Sequence, residues 1–203
     1  MGNGFFQRLR DALRPVSGAS KPLPENQLFI DDQVVGGLEV LPASTLEWCR
    51  HQIEQIRVFS AQHQARDSSG WSDMYVRPPA PADVASLVIP FGKSVTALAG
   101  LLRPIPEIVT GSTSAPTPIA RARAFGSSPL TAVVIYGDAR MERVASIELS
   151  LRGSSTDQLA VLSAMTSLPS PEPLLVVDWE HGTWARIGNG EEMQRFTASP
   201  GEA

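Results

Sequence analysis

Hydrophobic and polar positions alternate most legibly between Leu130 and Ile187. Leu130–Tyr136 (LTAVVIY) is an apolar, β-branched run closed by the turn pair Gly137-Asp138. Arg143–Leu151 then alternates, with Ala145, Ile147, Leu149 and Leu151 expected on one face and Ser146, Glu148 and Ser150 on the other. Ser154–Leu168 has the spacing of an amphipathic helix, and the stretch LLVVDWEHGTWARI that ends at Ile187 reads as a tight hairpin. Two strands, a helix and a closing hairpin predict an α+β fold: a mostly antiparallel sheet with helices packed on one face.

Upstream, Leu28–Ile30 and Val34–Leu41 flank Asp31-Asp32-Gln33 and read as a hairpin, with Gly36-Gly37 marking a bulge or close approach. Ser44-Thr45-Leu46-Glu47 matches a capping box. After it Leu46, Cys49, Ile53 and Ile56 form a helical stripe, and Arg50 and Glu54 an i,i+4 pair, in a helix that should fade near Gln64–Gly70. Met74–Pro81 is extended and proline-broken. Ala82–Val88 and Lys93–Leu102 read as short helices, Ile105–Val109 and Ile119–Phe125 as strands, and Gly111–Pro118 as a loop. Glu191–Phe196 is a short closing helix.

The first 25 residues differ in pattern. Gly4–Arg14 sets Phe5, Phe6, Leu9 and Leu13 on one stripe, with Arg8, Arg10 and Arg14 around it, and Pro15 stops it. Ser17–Glu25 has the Gly, Ser and Pro content of a tether. The organisation expected is therefore 1–25 as an amphipathic helix on a linker and 26–203 as a single α+β domain. So short a helix is marginal alone in water. It needs its own domain, a partner protein or, peripherally, a membrane surface.

Composition narrows the function classes. Within 203 residues, 42% are hydrophobic, enough for a core, and the formal net charge of −4 argues against a nucleic-acid partner. One cysteine leaves no disulfide framework and no thiolate metal site. The opening lacks a secretory apolar core, and no run is long enough for a transmembrane segment, so a cytoplasmic protein is expected.

Candidate chemistry is sparse. Gly92-Lys93-Ser94 ends like a phosphate-binding loop, but Leu87 stands where the motif needs glycine, so a helix start explains it. Asp178-Trp179-Glu180-His181 gathers carboxylates and an imidazole where a hairpin must turn, which favours turn chemistry over a metal or acid–base site. Cys49 lies on an apolar stripe and reads as a core thiol. No cofactor, metal or catalytic set is expected. What remains is a recognition surface: Trp179 and Trp184 flank Glu180 and His181, Trp71 and Tyr75 follow the long helix, and Glu148 lies in a polar row.

The segment from RVASIELSLRG through STDQLAVLSAMTSL to PLLVVDWEHGTWARI resembles the closing unit of small α+β immunity proteins, which neutralise contact-delivered toxins in bacteria. The resemblance covers the last third of the chain. It implies a non-catalytic protein whose folded, slightly acidic surface occludes a cognate toxin domain; the residues themselves, apart from the resemblance, offer Glu180, His181, Trp184, Trp179 and Glu148 as the partner-binding candidates. The alternative is an adaptor or structural component of a bacterial assembly, docking through Phe5, Phe6, Leu9 and Leu13. An enzyme ranks third.

Overall fold

A computed structural model describes residues 27–30, 37–63, 75–112 and 115–198. The stripe of Phe5, Phe6, Leu9 and Leu13, the tether, the Asp31-Asp32-Gln33 turn, Gly36 and Trp71 lie outside the described residues. The described part is α+β, with three small, mostly antiparallel sheets rather than one.

The largest sheet has the order β3 (Pro104–Ile105), β6 (Ala122–Ser128), β7 (Thr131–Gly137), β8 (Val144–Leu151) and is antiparallel throughout. A second sheet places β9 (Leu174–Asp178) between β2 (Leu38–Pro42) and β10 (Thr183–Arg186), again antiparallel. The third joins β1 (Gln27–Ile30) in parallel to β4 (Glu107–Ser112), which turns back to β5 (Ala115–Pro118).

Burial explains why two strands read as unbroken apolar runs. Along β7, Val133 and Ile135 enter the main core while Ala132 and Val134 enter the cluster under the third sheet. Along β9, Leu174 and Val176 face the main core, and Leu175 and Val177 face the opposite way. A strand covered on both faces has no polar side to show.

Four helices complete the described fold: α1 (Leu46–His63), α2 (Phe91–Ala99), α3 (Ser155–Ala164) and α4 (Gly190–Thr197). Helices α2 and α3 pack on the face of the large sheet that carries Phe125, Val133, Ile135 and Ile147, bringing Phe91, Leu98, Val161 and Leu162 into the main core. Helix α1 instead covers the outer face of the second sheet through Cys49 and Ile53. Ser154 caps α3 by accepting from the Asp157 amide at 3.2 Å, and Asn189 caps α4 by accepting from the Glu192 amide at 3.2 Å. Glu192, buried, also accepts from the Arg186 amide at 2.9 Å and from its guanidinium, tying α4 to β10.

Several local expectations are corrected. The segments around Leu28 and Leu38 do not form a hairpin, because β1 pairs with β4 and β2 with β9. Ser44 does not close a capping box: its hydroxyl donates to Glu172 at 3.0 Å, a 3-10 turn over Ala43–Thr45 precedes α1, and Glu47 pairs with Arg50. Glu54 pairs with Arg57, not Arg50. The 105–109 run divides between β3 and β4, two strands of different sheets, and the 111–118 stretch supplies the ends of a β4–β5 pair. A bulge between Tyr136 and Gly137 shifts the start of β8, so Val144 is buried and Ala145 exposed. Beyond it the alternation holds, with Ile147 inward and Glu148 outward.

Candidate functional site

The β9–β10 hairpin and α1 build one surface. Asp178 pairs with Thr183, leaving Trp179–Gly182 as the turn. Gly182 adopts φ +64°, and a Cβ there would stand 3.2 Å from the Ile53 methyl. Glycine is thus favoured both by the left-handed backbone and by the closeness of α1. The Asp178 carboxylate accepts from the His181 amide at 2.9 Å and lies 2.8 Å from His181 Nδ1. That hydrogen bond and the carboxylate charge hold the His181 pKa above its ordinary value. Glu180 and His181 are both exposed.

Behind the turn, Glu39, Val177 and Trp184 stand opposite one another across β2, β9 and β10, so they share the face that α1 covers. Glu39 Oε2 accepts from Trp179 Nε1 at 2.8 Å and meets Arg77 Nη2 at 2.7 Å. The Arg77 guanidinium lies 3.8 Å from the Trp179 ring centre and 5.6 Å from that of Trp48, while Trp48 meets Trp179 edge-on at 6.0 Å. Arg50 covers Trp184 at 4.7 Å and pairs with Glu47 at 2.8 Å. Farther along α1, Tyr75 donates to Gln52 at 2.9 Å and packs on Phe59 at 5.5 Å, which stacks on His63 at 3.9 Å. The result is a band of half-buried tryptophans under arginines, continued by Tyr75 and edged by Val76, which is 76% exposed.

This arrangement joins Trp179, Trp184, Glu180 and His181, four residues expected from the sequence. Glu148 is elsewhere. It sits on the outer face of the large sheet, in line with Val134, and accepts from Tyr136 at 2.8 Å. Glu39, Arg77 and Trp48 complete this surface without having been evident from the sequence pattern. One signal was available: Trp48, Gln52, Phe59 and His63 recur at helical spacing beside the stripe that was recognised. Arg77, in a proline-rich stretch without period, carries no such signal.

Other candidates resolve into structure. Ser94, fully buried, donates to the Pro90 carbonyl at 2.9 Å, so the Gly92-Lys93-Ser94 run is the first turn of α2. Cys49 is buried, its sulfur 3.7 Å from Thr45 Oγ1, and burial pushes its pKa up. Among the described residues, no three His, Cys, Asp or Glu side chains are grouped to hold a metal ion. No described helix is long and apolar enough to cross a membrane. Comparison of the chain with protein-family models, with curated proteins and with solved structures found no match.

Proposed function

We propose that this protein works by binding another protein, without catalysis of its own, through the surface formed by the β9–β10 hairpin and α1. The observation that carries this reading is the pairing of Arg77 with Trp179 and of Arg50 with Trp184 on one face. Tryptophan, tyrosine and arginine are the residue types that dominate interface energetics. The stacked arginines hold the rings in place before a partner arrives, which lowers the ordering cost of association. The partner suggested by the resemblance of the last third of the chain is a toxin domain, neutralised by occlusion. The adaptor reading places the contact instead on Phe5, Phe6, Leu9 and Leu13.

The test begins with native complexes captured by the tagged full chain, followed by affinity measurement with the purified partner. Charge reversal at the exposed turn, Glu180→Lys, should weaken binding at least about tenfold, or about 1.4 kcal/mol, without moving the melting curve. Arg50→Glu should also weaken binding by uncovering Trp184, here with a small fall in Tm because the Glu47 pair and the ring contact are lost. Unchanged affinity in both variants, and in Trp184→Ala, would exclude this surface and move the contact to the Phe5–Leu13 stripe. If the partner is a toxin domain, the wild-type chain should suppress its activity at one-to-one stoichiometry.

A further inference from the structure

A cavity of about 710 Å³ opens between α2, the β3–β6 edge of the large sheet and the third sheet. Helix α2 contributes Val95 and Ala99, one turn apart, and β6 contributes Phe125. From the third sheet come Val109 of β4 and Pro116 and Pro118 of β5. Val109 and Phe125 are buried while Ala99 and both prolines are exposed, so the apolar lining runs from the core out to solvent. The volume is in the range of pockets that enclose a small organic ligand, roughly 300–1,000 Å³.

A single cation stands among the described lining residues. Arg123 lies two positions before Phe125 on β6, so both side chains leave the same face of the strand. Arg123 Nη1 donates to the Ala120 carbonyl at 3.2 Å and to the Ala122 carbonyl at 2.7 Å. Those two bonds hold one corner of the guanidinium. Its Nε and Nη2 have neither an acceptor nor an ion-pair partner among the described residues. Glu107 is the one carboxylate of the described lining; it stands on β4, accepts from Gln27 at 3.0 Å and makes no ion pair with Arg123.

We propose that this cavity binds a small organic carboxylate with an apolar tail, of the medium-chain fatty-acid kind. The carboxylate sits on the Nε–Nη2 side of Arg123 and the tail lies along Val95, Ala99 and Phe125. That side of a guanidinium presents two parallel N–H donors, which match the two oxygens of a planar carboxylate. A monoanion is favoured over a dianionic phosphate, because the cavity offers one guanidinium and another of its walls carries Glu107. Burial of the tail supplies affinity, and the paired bonds fix its direction. The cavity shares no residue with the tryptophan band, so this binding is separate from the protein-binding function proposed above.

The experiment titrates the full chain with decanoate by isothermal calorimetry, with decan-1-ol and decyl phosphate as comparison ligands. Decanoate should bind saturably at one molecule per chain and more tightly than either. Arg123→Gln should weaken decanoate at least about tenfold, as expected for loss of hydrogen bonds to an ionised group, and leave decan-1-ol unchanged. Arg123→Lys, which keeps the charge and loses the paired donors, should fall between. Ala99→Phe, at an exposed wall position, should fill the space and abolish binding of all three, with a melting curve recorded for each variant. Glu107→Gln should leave decanoate binding unchanged or tighten it. Absence of saturable binding, several molecules bound per chain, equal affinity in Arg123→Gln, survival of binding in Ala99→Phe or a preference for decyl phosphate would each overturn the proposal.

Discussion

Glu39 is the residue on which the tryptophan band turns, and its removal tests the description of that band. One carboxylate oxygen accepts the Trp179 indole N–H and meets the Arg77 guanidinium. In Glu39→Ala the indole donor, part-buried, is left without its charged acceptor, a loss of about 1.5–3 kcal/mol for a hydrogen bond to an ionised group. The Arg77 pair adds less. Its side chains are 28% and 35% exposed, so screening limits it to about 1 kcal/mol or below. Relaxation of the freed groups toward solvent returns part of this, leaving a net loss of about 2 kcal/mol. For a chain of this size that lowers Tm by roughly 4–8 °C. Glu39→Gln keeps an oxygen for the indole and loses the charge, so its cost should be about 0.5–1 kcal/mol. The assay is thermal and urea unfolding, followed by tryptophan emission, with the native-state spectrum recorded for each variant. The alanine variant should also shift native emission as Arg77 loses its hold over Trp179. Equal destabilisation by both variants would show that the ion pair, not the indole bond, dominates. Wild-type stability and emission in both would refute the network altogether.

Three further outcomes follow from local geometry. A Cβ at Gly126 would lie 2.1 Å from the Thr131 carbonyl oxygen and 2.7 Å from Ala132 Cα, backbone atoms that cannot turn aside, whereas one at Gly92 meets nothing within 4 Å. Gly126→Ala should therefore cost about 3 kcal/mol or more and Gly92→Ala should stabilise α2 by about 0.5 kcal/mol, both read from urea melts. His181 should titrate above its ordinary value of 6.5 when followed by NMR, because Asp178 favours the imidazolium, and Asp178→Asn should bring the midpoint back. The sign follows: its stabilisation is complete below about pH 6.5 and is lost as pH rises through the higher folded-state value. The Cys49 thiol should react slowly with thiol reagents in the native protein and rapidly in urea, with Cys49→Ala costing on the order of 1–2 kcal/mol.

Elements with their own local signal were legible in the sequence. The Leu130–Ile187 stretch contains the strands, helix and hairpin that its periodicity predicts, and Ser154 caps its helix because the cap needs only the Asp157 amide three residues on. The turn after Asp178 is likewise legible, since turn chemistry is local. The pairing of strands was not. Leu28 and Leu38 are neighbours in sequence, but β1 is taken by β4 and β2 by β9, because each strand seeks the distant apolar face that completes its burial. The 111–118 stretch has the Gly, Ser and Pro content of a loop, and tertiary pairing of β5 with β4 overrides that preference.

The candidate site divides in the same way. Trp179, Trp184, Glu180 and His181 were visible as one short run, because a hairpin keeps sequence neighbours together in space. Glu39 lies 140 positions from Trp179, and Arg77 sits in a segment with no repeating pattern. Glu148 is legible as a polar, outward position of its strand, and it is exposed there on a different sheet from the hairpin. Periodicity tells which side of an element is polar, so the sequence by itself determined the class of fold and the hairpin's chemistry. Which outward faces converge depends on how the sheets stack, and that packing alone brought Glu39, Arg77, Arg50 and Trp48 to the tryptophans.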